Sequence, residues 1–344
     1  MARIATGFHR HFFLTNMRRT RGGGLTFPAT RPCLGAVSDE LGKQVLKGVS
    51  RSFYLTLRLL PRPMRRAASL GYLLARTSDT LADTSAAPLD ARLHFLGQFR
   101  LAVAGKSAAP RWPVSILNAI PDARERHLLE CSGEIFASLK RLPQGEAALV
   151  MEVLEIIVSG QTLDLERFAG ASREHPVALL DDAALEDYAW RVAGSVGAFW
   201  TKLGILTLGE RFSNAPASEL LARGIAYGKG LQLVNILRDL AADLASGRCY
   251  LPVADPRDSQ EIYECHGKWL TRAEEWIGEG RDYAETLRSR RLRAATVLPA
   301  LIARETMVPL RGATWEALQT RIKIPRKVVY QCVLRAFFPA AAKA

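Results

Sequence analysis

Two pairs of aspartates are the residues of this chain best suited to chemistry. Asp79 and Asp83 lie in YLLARTSDTLADT (72–84), with Arg76 one turn before the first. Asp239 and Asp243 lie in GLQLVNILRDLAADLASGRCYLP (230–252), with Arg238 beside the first. At 3.6 residues per turn, positions i and i+4 share one helix face. Two carboxylates so placed repel by roughly 0.2–0.5 kcal/mol on an isolated helix, and by more where they are partly desolvated. Something positive must offset that. Arginine does so in part. A divalent cation does so more fully, because Mg²⁺ prefers carboxylate oxygens, keeps several waters and recruits phosphate oxygens. One such pair alone reads as a solvated helix face. Two pairs, each in an apolar stretch with an arginine nearby, favour a site over a surface. Were the two helices to face each other, they would form a ring of carboxylates able to hold Mg²⁺ ions that bridge to a diphosphate, a facing that the sequence alone does not show.

The elements that must carry these residues are helices. Apolar residues recur at helical spacing from residue 39 onward, as in Leu55 and Leu59 or Leu70, Leu73 and Leu74, and no run alternates as a strand would. Loops are marked by PRP (61–63), GKSAAPRWP (105–113) and LPVADPRDS (251–259). Hydrophobic residues make up 48% of the 344, which excludes global disorder. The expected architecture is all-α, one large helical domain over residues 39–344; its size is also compatible with two lobes.

The formal charge of +13 suits an anionic partner. Part of it is local: residues 1–38 hold Arg3, Arg10, Arg18, Arg19, Arg21 and Arg31 and no acid. That composition fits a transit peptide, a misassigned start or an unstructured leader. Binding to nucleic acid would rest on charge alone, since no recognised motif supports it, and none is expected. The five cysteines are scattered without a CxxC pair, as in a reducing, cytoplasmic setting. The histidines lack metal-ligand spacing, so no zinc site is expected at Cys265–His266. No apolar run reaches the ~18 residues of a membrane span. The stretch 328–342 is apolar but broken by Gln331, Arg335 and Pro339, and is read as packing on the body or touching a membrane surface.

Three stretches together resemble the squalene/phytoene synthase family. They are SRSFYLTLRLLPRPMRRAASLGYLLARTSDTLAD (50–83), YAWRVAGSVGAFWTKLG (188–204) and the 230–252 stretch, which with Gly228 sets Gln232, Asn235, Arg238, Asp239, Asp243, Arg248, Tyr250 and Pro252 at the family's spacings. The resemblance implies an all-α isoprenoid-synthase-type fold around a central hydrophobic cavity, and head-to-head coupling of two allylic isoprenoid diphosphates. It implies that Asp79, Asp83, Asp239 and Asp243 hold Mg²⁺. It places Arg51, Ser52, Arg76, Gln232, Asn235 and Arg248 on the diphosphate, and Tyr188, Arg238 and Tyr72 in catalysis. Ala193, Gly194, Val196 and Gly197 would let a helix approach a long prenyl chain or another helix. Residues 159–168, SGQTLDLERF, fit where relatives show GMxxDL, except that Gln161 replaces methionine; Ala82 and Ala242 stand where glutamate is common.

The family divides after a shared cyclopropyl diphosphate. SRSF and the DT of the first motif lean to squalene synthase, which couples farnesyl diphosphate and uses NADPH; RCYLP leans to the bacterial phytoene and presqualene types. Squalene-type coupling is the expectation. Phytoene-type coupling of geranylgeranyl diphosphate, a non-reducing presqualene diphosphate or hydroxysqualene synthase, and a catalytically silent assembly factor are the alternatives. The greasy substrate and product lead us to expect peripheral association with a membrane.

Overall fold

The computed structural model describes residue 46, residues 53–320 and residues 322–338. The leader at 1–38, any targeting role it has, and Arg51 and Ser52 lie outside the described residues. Helices α1 (Phe53–Leu59), α2 (Arg62–Asp83) and α3 (Leu89–Val103) come first, followed by the short α4 (Val114–Ala119), α5 (Ala123–Glu130) and α6 (Ser132–Leu139). The long α7 (Gln144–Arg167) leads to α8 (Asp182–Ala189), a π-helical turn at Trp190–Gly194, and α9 (Ser195–Leu208). The C-terminal part holds α10 (Ala217–Ala245), α11 (Ser259–Thr286), α12 (Arg290–Arg311), the short α13 (Trp315–Leu318) and α14 (Arg326–Phe337). The PRP marker proves to be a helix entrance: Pro61 caps α2 and Pro63 sits in its first turn, where a missing N–H costs nothing. The other two loop expectations fall on coil.

Buried apolar side chains form two main clusters. One packs α1–α7 with Phe199 and Leu203; the other packs α8, α10, α11 and α12 around Leu233, Leu237, Trp269 and Ile277. The aspartate helices come from opposite sides of this divide: α2 belongs to the first cluster and the C-terminal half of α10 to the second. Among the described residues the only sheet is a two-residue parallel pair, β1 (Val177–Ala178) on β2 (Arg248–Cys249). It is too short to leave an alternating pattern in the sequence, yet it fixes the backbone at Arg248, with Val177 N–H donating to Gly247 O (2.8 Å) and Leu179 N–H to Cys249 O (3.1 Å).

The small residues of YAWRVAGSVG serve helix packing. A Cβ on Gly197 would overlap the carbonyl of Gly224, and one on Gly228 the carbonyl of Ala193, so the π turn and α9 lie directly on the backbone of α10. Gly194 packs beside Lys229 and Trp190 (3.0 Å each for an added Cβ), whereas Val196 faces outward at 37% exposure. The stretch Asp182–Arg211 contains an 18-residue window apolar enough to cross a membrane by composition. Its glycine seam against α10 marks it as a core element. Gly197→Ala should therefore force two backbones apart and cost on the order of 3 kcal/mol by denaturant unfolding, while Gly267→Ala, inside α11 with nothing within 4 Å of its Cβ, should stabilise by about 0.5–1 kcal/mol.

Candidate active site

On the last two turns of α2, Asp79 is 2% exposed and Asp83 half-buried. Desolvation pushes the Asp79 carboxyl up to about 7, against the nearby Arg76 and a hydrogen bond from Gln161. Desolvation, then the charge of Asp79, pushes Asp83 up to about 7 as well. Arg76 is 8% exposed and pairs with Glu125 of α5 at 2.5 Å. Its guanidinium is thus anchored while still facing Asp79 and Asp83.

Across the divide, α10 presents Gln232, Asn235, Asp239 and Asp243 along one side. Arg238 binds its neighbour Asp239 with two nitrogens, at 3.0 and 2.6 Å. Asp243 is buried, and desolvation pushes it up to about 8 despite the opposing charge of Arg248. Gln232 is buried two turns before Asp239.

Arg248 joins the two halves. The chain leaves α10 through Ser246 and Gly247, which takes φ +80 and lies so close to the backbone of Ser172 that a Cβ would overlap it. That turn delivers Arg248 to a position where it feels Asp243, Asp164 and Asp83 together. Its Nη1 lies 3.7 Å from Asp164 of α7. Tyr250 and Tyr188 complete this wall: both are buried, with rings stacked at 5.1 Å and 22°. Burial, then the charge of Asp164, pushes the Tyr188 hydroxyl well above its ordinary range.

The structure thus brings together Arg76, Asp79, Asp83, Asp243, Arg248 and Tyr188, with Arg238 and Asp239 one turn before Asp243. Tyr72 is half-buried one turn before Arg76, whose charge it feels. Four contributors were not assigned from the sequence. Glu125 anchors Arg76. Asp164 faces Arg248. Gln161 donates from Nε2 to Asp79 Oδ1. Arg92, which binds Ala82 O at 3.0 Å, lies near both Asp83 and Arg248. Asp164 and Gln161 stood in a recognised stretch; Glu125 and Arg92 carried no signal.

The anticipated ring of carboxylates is interrupted by guanidinium groups. Among the described residues no three His, Cys, Asp or Glu side chains stand close enough to hold a metal ion by themselves. The donor set still fits a hard cation shared with a substrate. Asn235 Oδ1 and Gln161 Oε1 are buried acceptors without a hydrogen-bond partner, and the surrounding acids are raised mainly by desolvation. Oxygen-only donors, with places left for waters and phosphate oxygens, are what Mg²⁺ accepts.

A family profile for squalene/phytoene synthase matches residues 46–328. The chain belongs to the squalene/phytoene synthase family. It is 30% identical over 201 residues to a presqualene diphosphate synthase of Rhodopseudomonas palustris, covering 58% of each chain. It is 29% identical over 243 residues to a 15-cis-phytoene synthase of Synechocystis, covering 66% of this chain and 60% of that one. The matched segment therefore spans about three fifths of these relatives' lengths. A solved structure of TcSQS with a ligand superposes with a TM-score of 0.70 at 21% identity, over 87% of this chain and 86% of that one. The helical fold expected from the sequence is the family's fold.

Proposed function

We propose that this protein couples two molecules of farnesyl diphosphate head to head, through a cyclopropyl (presqualene) diphosphate, to squalene. The observation that carries the reading is that Arg248, 3.7 Å from Asp164, lies within electrostatic reach of both aspartate pairs, through Asp83 of one and Asp243 of the other. A substrate diphosphate has a cationic seat there, flanked by carboxylates in excess of what the arginines neutralise. Mg²⁺, held by Asp79, Asp83, Asp239 and Asp243, would supply the remaining positive charge and stabilise the leaving group.

The chain's own residues account for the rest. Breaking the allylic C–O bond sends the electron pair to the diphosphate. Arg248, with Arg76 and Arg238, stabilises that charge as it develops, and the planar guanidinium suits paired phosphate oxygens. Arg76 is held for this by Glu125, and Asn235 offers an open polar contact. The second prenyl double bond then attacks the allylic carbon, and a proton leaves as the cyclopropane closes. Tyr188 stays neutral at ordinary pH, so its role is to direct that proton toward the departing diphosphate rather than to take it as a phenolate. Tyr72 belongs to the same wall on the α2 side. Reduction to squalene would draw hydride from NADPH. A non-reducing enzyme that stops at presqualene diphosphate is the second reading, favoured by the name of the Rhodopseudomonas relative.

The test is product analysis by gas chromatography–mass spectrometry after incubation with farnesyl diphosphate and Mg²⁺, with and without NADPH. Squalene formed only with NADPH is the expected result. Presqualene diphosphate or hydroxysqualene regardless of NADPH would select the second reading. Consumption of geranylgeranyl diphosphate alone would move the chain to the phytoene branch. Turnover undiminished by chelation of divalent ions would overturn the mechanism.

A further inference from the structure

The C-terminal helix α14 has two apolar faces, and the body of the protein uses one. Val329 and Cys332 are buried against Leu298 and Ile302 of α12, with Val328, Val333 and Ala336 packed beside them. The other face carries Tyr330 and Leu334, four apart and 68% and 61% exposed, and Phe338, 60% exposed, follows directly after the last helical residue. Two such residues on one helix face, continued by a third at its end, form a stripe, which a scattered exposed leucine does not. The Arg335–Glu305 ion pair (2.9 Å) sets the end of α14 beside α12, and Val308, 68% exposed, lies one turn beyond Glu305.

Apart from Glu305, which Arg335 offsets, the charge of this segment is one-sided. After Glu316 the chain contains Arg321, Lys323, Arg326, Lys327, Arg335 and Lys343, and no acid. Lys323, Arg326 and Lys327 are exposed at the start of α14, and Lys327 lies on the same side of the helix as Leu334 and Phe338. A protein partner's groove would more often balance such a surface with acids of its own. A helix that sinks aromatic and leucine side chains below a headgroup layer, with lysine and arginine at the level of the phosphates, needs this distribution.

We infer that the Tyr330–Leu334–Phe338 face of α14, with Val308 beside it and Lys323, Arg326 and Lys327 around it, is a docking surface for an anionic lipid bilayer. The chemistry gives the surface a use: on the coupling reading above, the product is a hydrocarbon that has to leave for a lipid phase. The surface itself is argued from exposure and charge, and its test needs no turnover.

The experiment is co-sedimentation of the full chain with phosphatidylcholine vesicles, and with vesicles containing about one third phosphatidylglycerol. The variant Tyr330→Ser/Leu334→Ser/Phe338→Ser is run beside it, with circular dichroism to confirm unchanged helix content. Binding to the anionic vesicles, weakened at least about tenfold in the triple variant and by raised salt, is the expected result. Lys327→Glu should weaken it by a smaller factor. Three outcomes would overturn the inference. Binding that the triple variant leaves intact would assign membrane contact elsewhere, such as to the basic residues 1–38. Equal binding to neutral vesicles would remove the charge argument. No vesicle binding, with self-association that the triple variant abolishes in sedimentation velocity, would make the face a contact between copies of this chain.

Discussion

Arg248→Ala is expected to lower kcat at least a thousandfold, while Arg248→Lys retains a few percent of the parent rate. The guanidinium feels Asp83 from α2, Asp164 from α7 and Asp243 from α10 at once. Alanine removes both the proposed seat for the diphosphate and the charge that lets those carboxylates share a desolvated space. A thousandfold is about 4 kcal/mol, within what a preorganised electrostatic contact to a developing charge supplies. Leaving buried acids unpaired is itself destabilising by roughly 3–5 kcal/mol, so a loss of activity by Arg248→Ala could reflect a loosened fold. Lysine resolves that: it keeps the charge and loses the planar fork. Single-turnover kinetics on the lysine variant should show a slowed chemical step with little change in melting temperature. Both variants turning over within a few fold of the parent would sink the role assigned to Arg248. The comparison with Arg238 sharpens the test. Arg238 is already bound through two nitrogens to Asp239 on its own helix, so Arg238→Ala should disturb that carboxylate and act more weakly than Arg248→Ala.

How much of this was legible in the sequence follows from the range of each interaction. The aspartate pairs were readable because each sits on a single helix, where i, i+4 spacing fixes the face; Arg238 and Asn235 were assigned by resemblance. The long 230–252 signature added Arg248 by resemblance; that it faces Asp83 was not readable, because it depends on a two-residue sheet and a left-handed glycine. Glu125 was invisible for a similar reason. It meets Arg76 across 49 residues of chain, and nothing in ARERHLLE distinguishes it from a solvated glutamate. Gln161 was noticed as a departure from methionine, but only the packing of α7 on α2 turns that departure into a hydrogen bond to Asp79. The glycines of YAWRVAGSVG left two uses open, a greasy ligand or a neighbouring helix. The backbone of α10 occupies that space at Gly197, so the helix is the answer there. The π turn at Trp190–Gly194 is a matter of one extra residue in a helical run, which apolar periodicity does not resolve.

The clustering of buried acids carries a second strong expectation: without ligand, this protein should lose stability as pH rises from 6 to 8.5. Desolvation lifts Asp79 to about 7 and Asp243 to about 8, with Asp164 raised by the same cause and Asp83 lifted to about 7 from a less buried position. In the unfolded chain these carboxyls titrate near 4. Between pH 4 and 8 the native state therefore holds more protons than the unfolded state, and unfolding free energy falls with rising pH. The stabilisation is complete below about pH 4 and is lost as pH passes through the native values. Each unit of difference is about 1.4 kcal/mol per group, and a domain of this size shifts by roughly 2–4 °C per kcal/mol. A drop of roughly 5 °C or more in melting temperature from pH 6 to 8.5 is expected. Asp243→Asn should flatten that slope, because its amide has nothing to ionise. Mg²⁺ with inorganic diphosphate, binding the folded state alone, should raise the melting temperature more at pH 8.5 than at pH 6. Differential scanning calorimetry on the parent and the Asn variant across this range decides the matter. A melting temperature that rises toward pH 8.5, or an Asn variant with the parent's slope, would show that these carboxylates are not held at a desolvation cost. The argument that they await a cation and a diphosphate would fall with it.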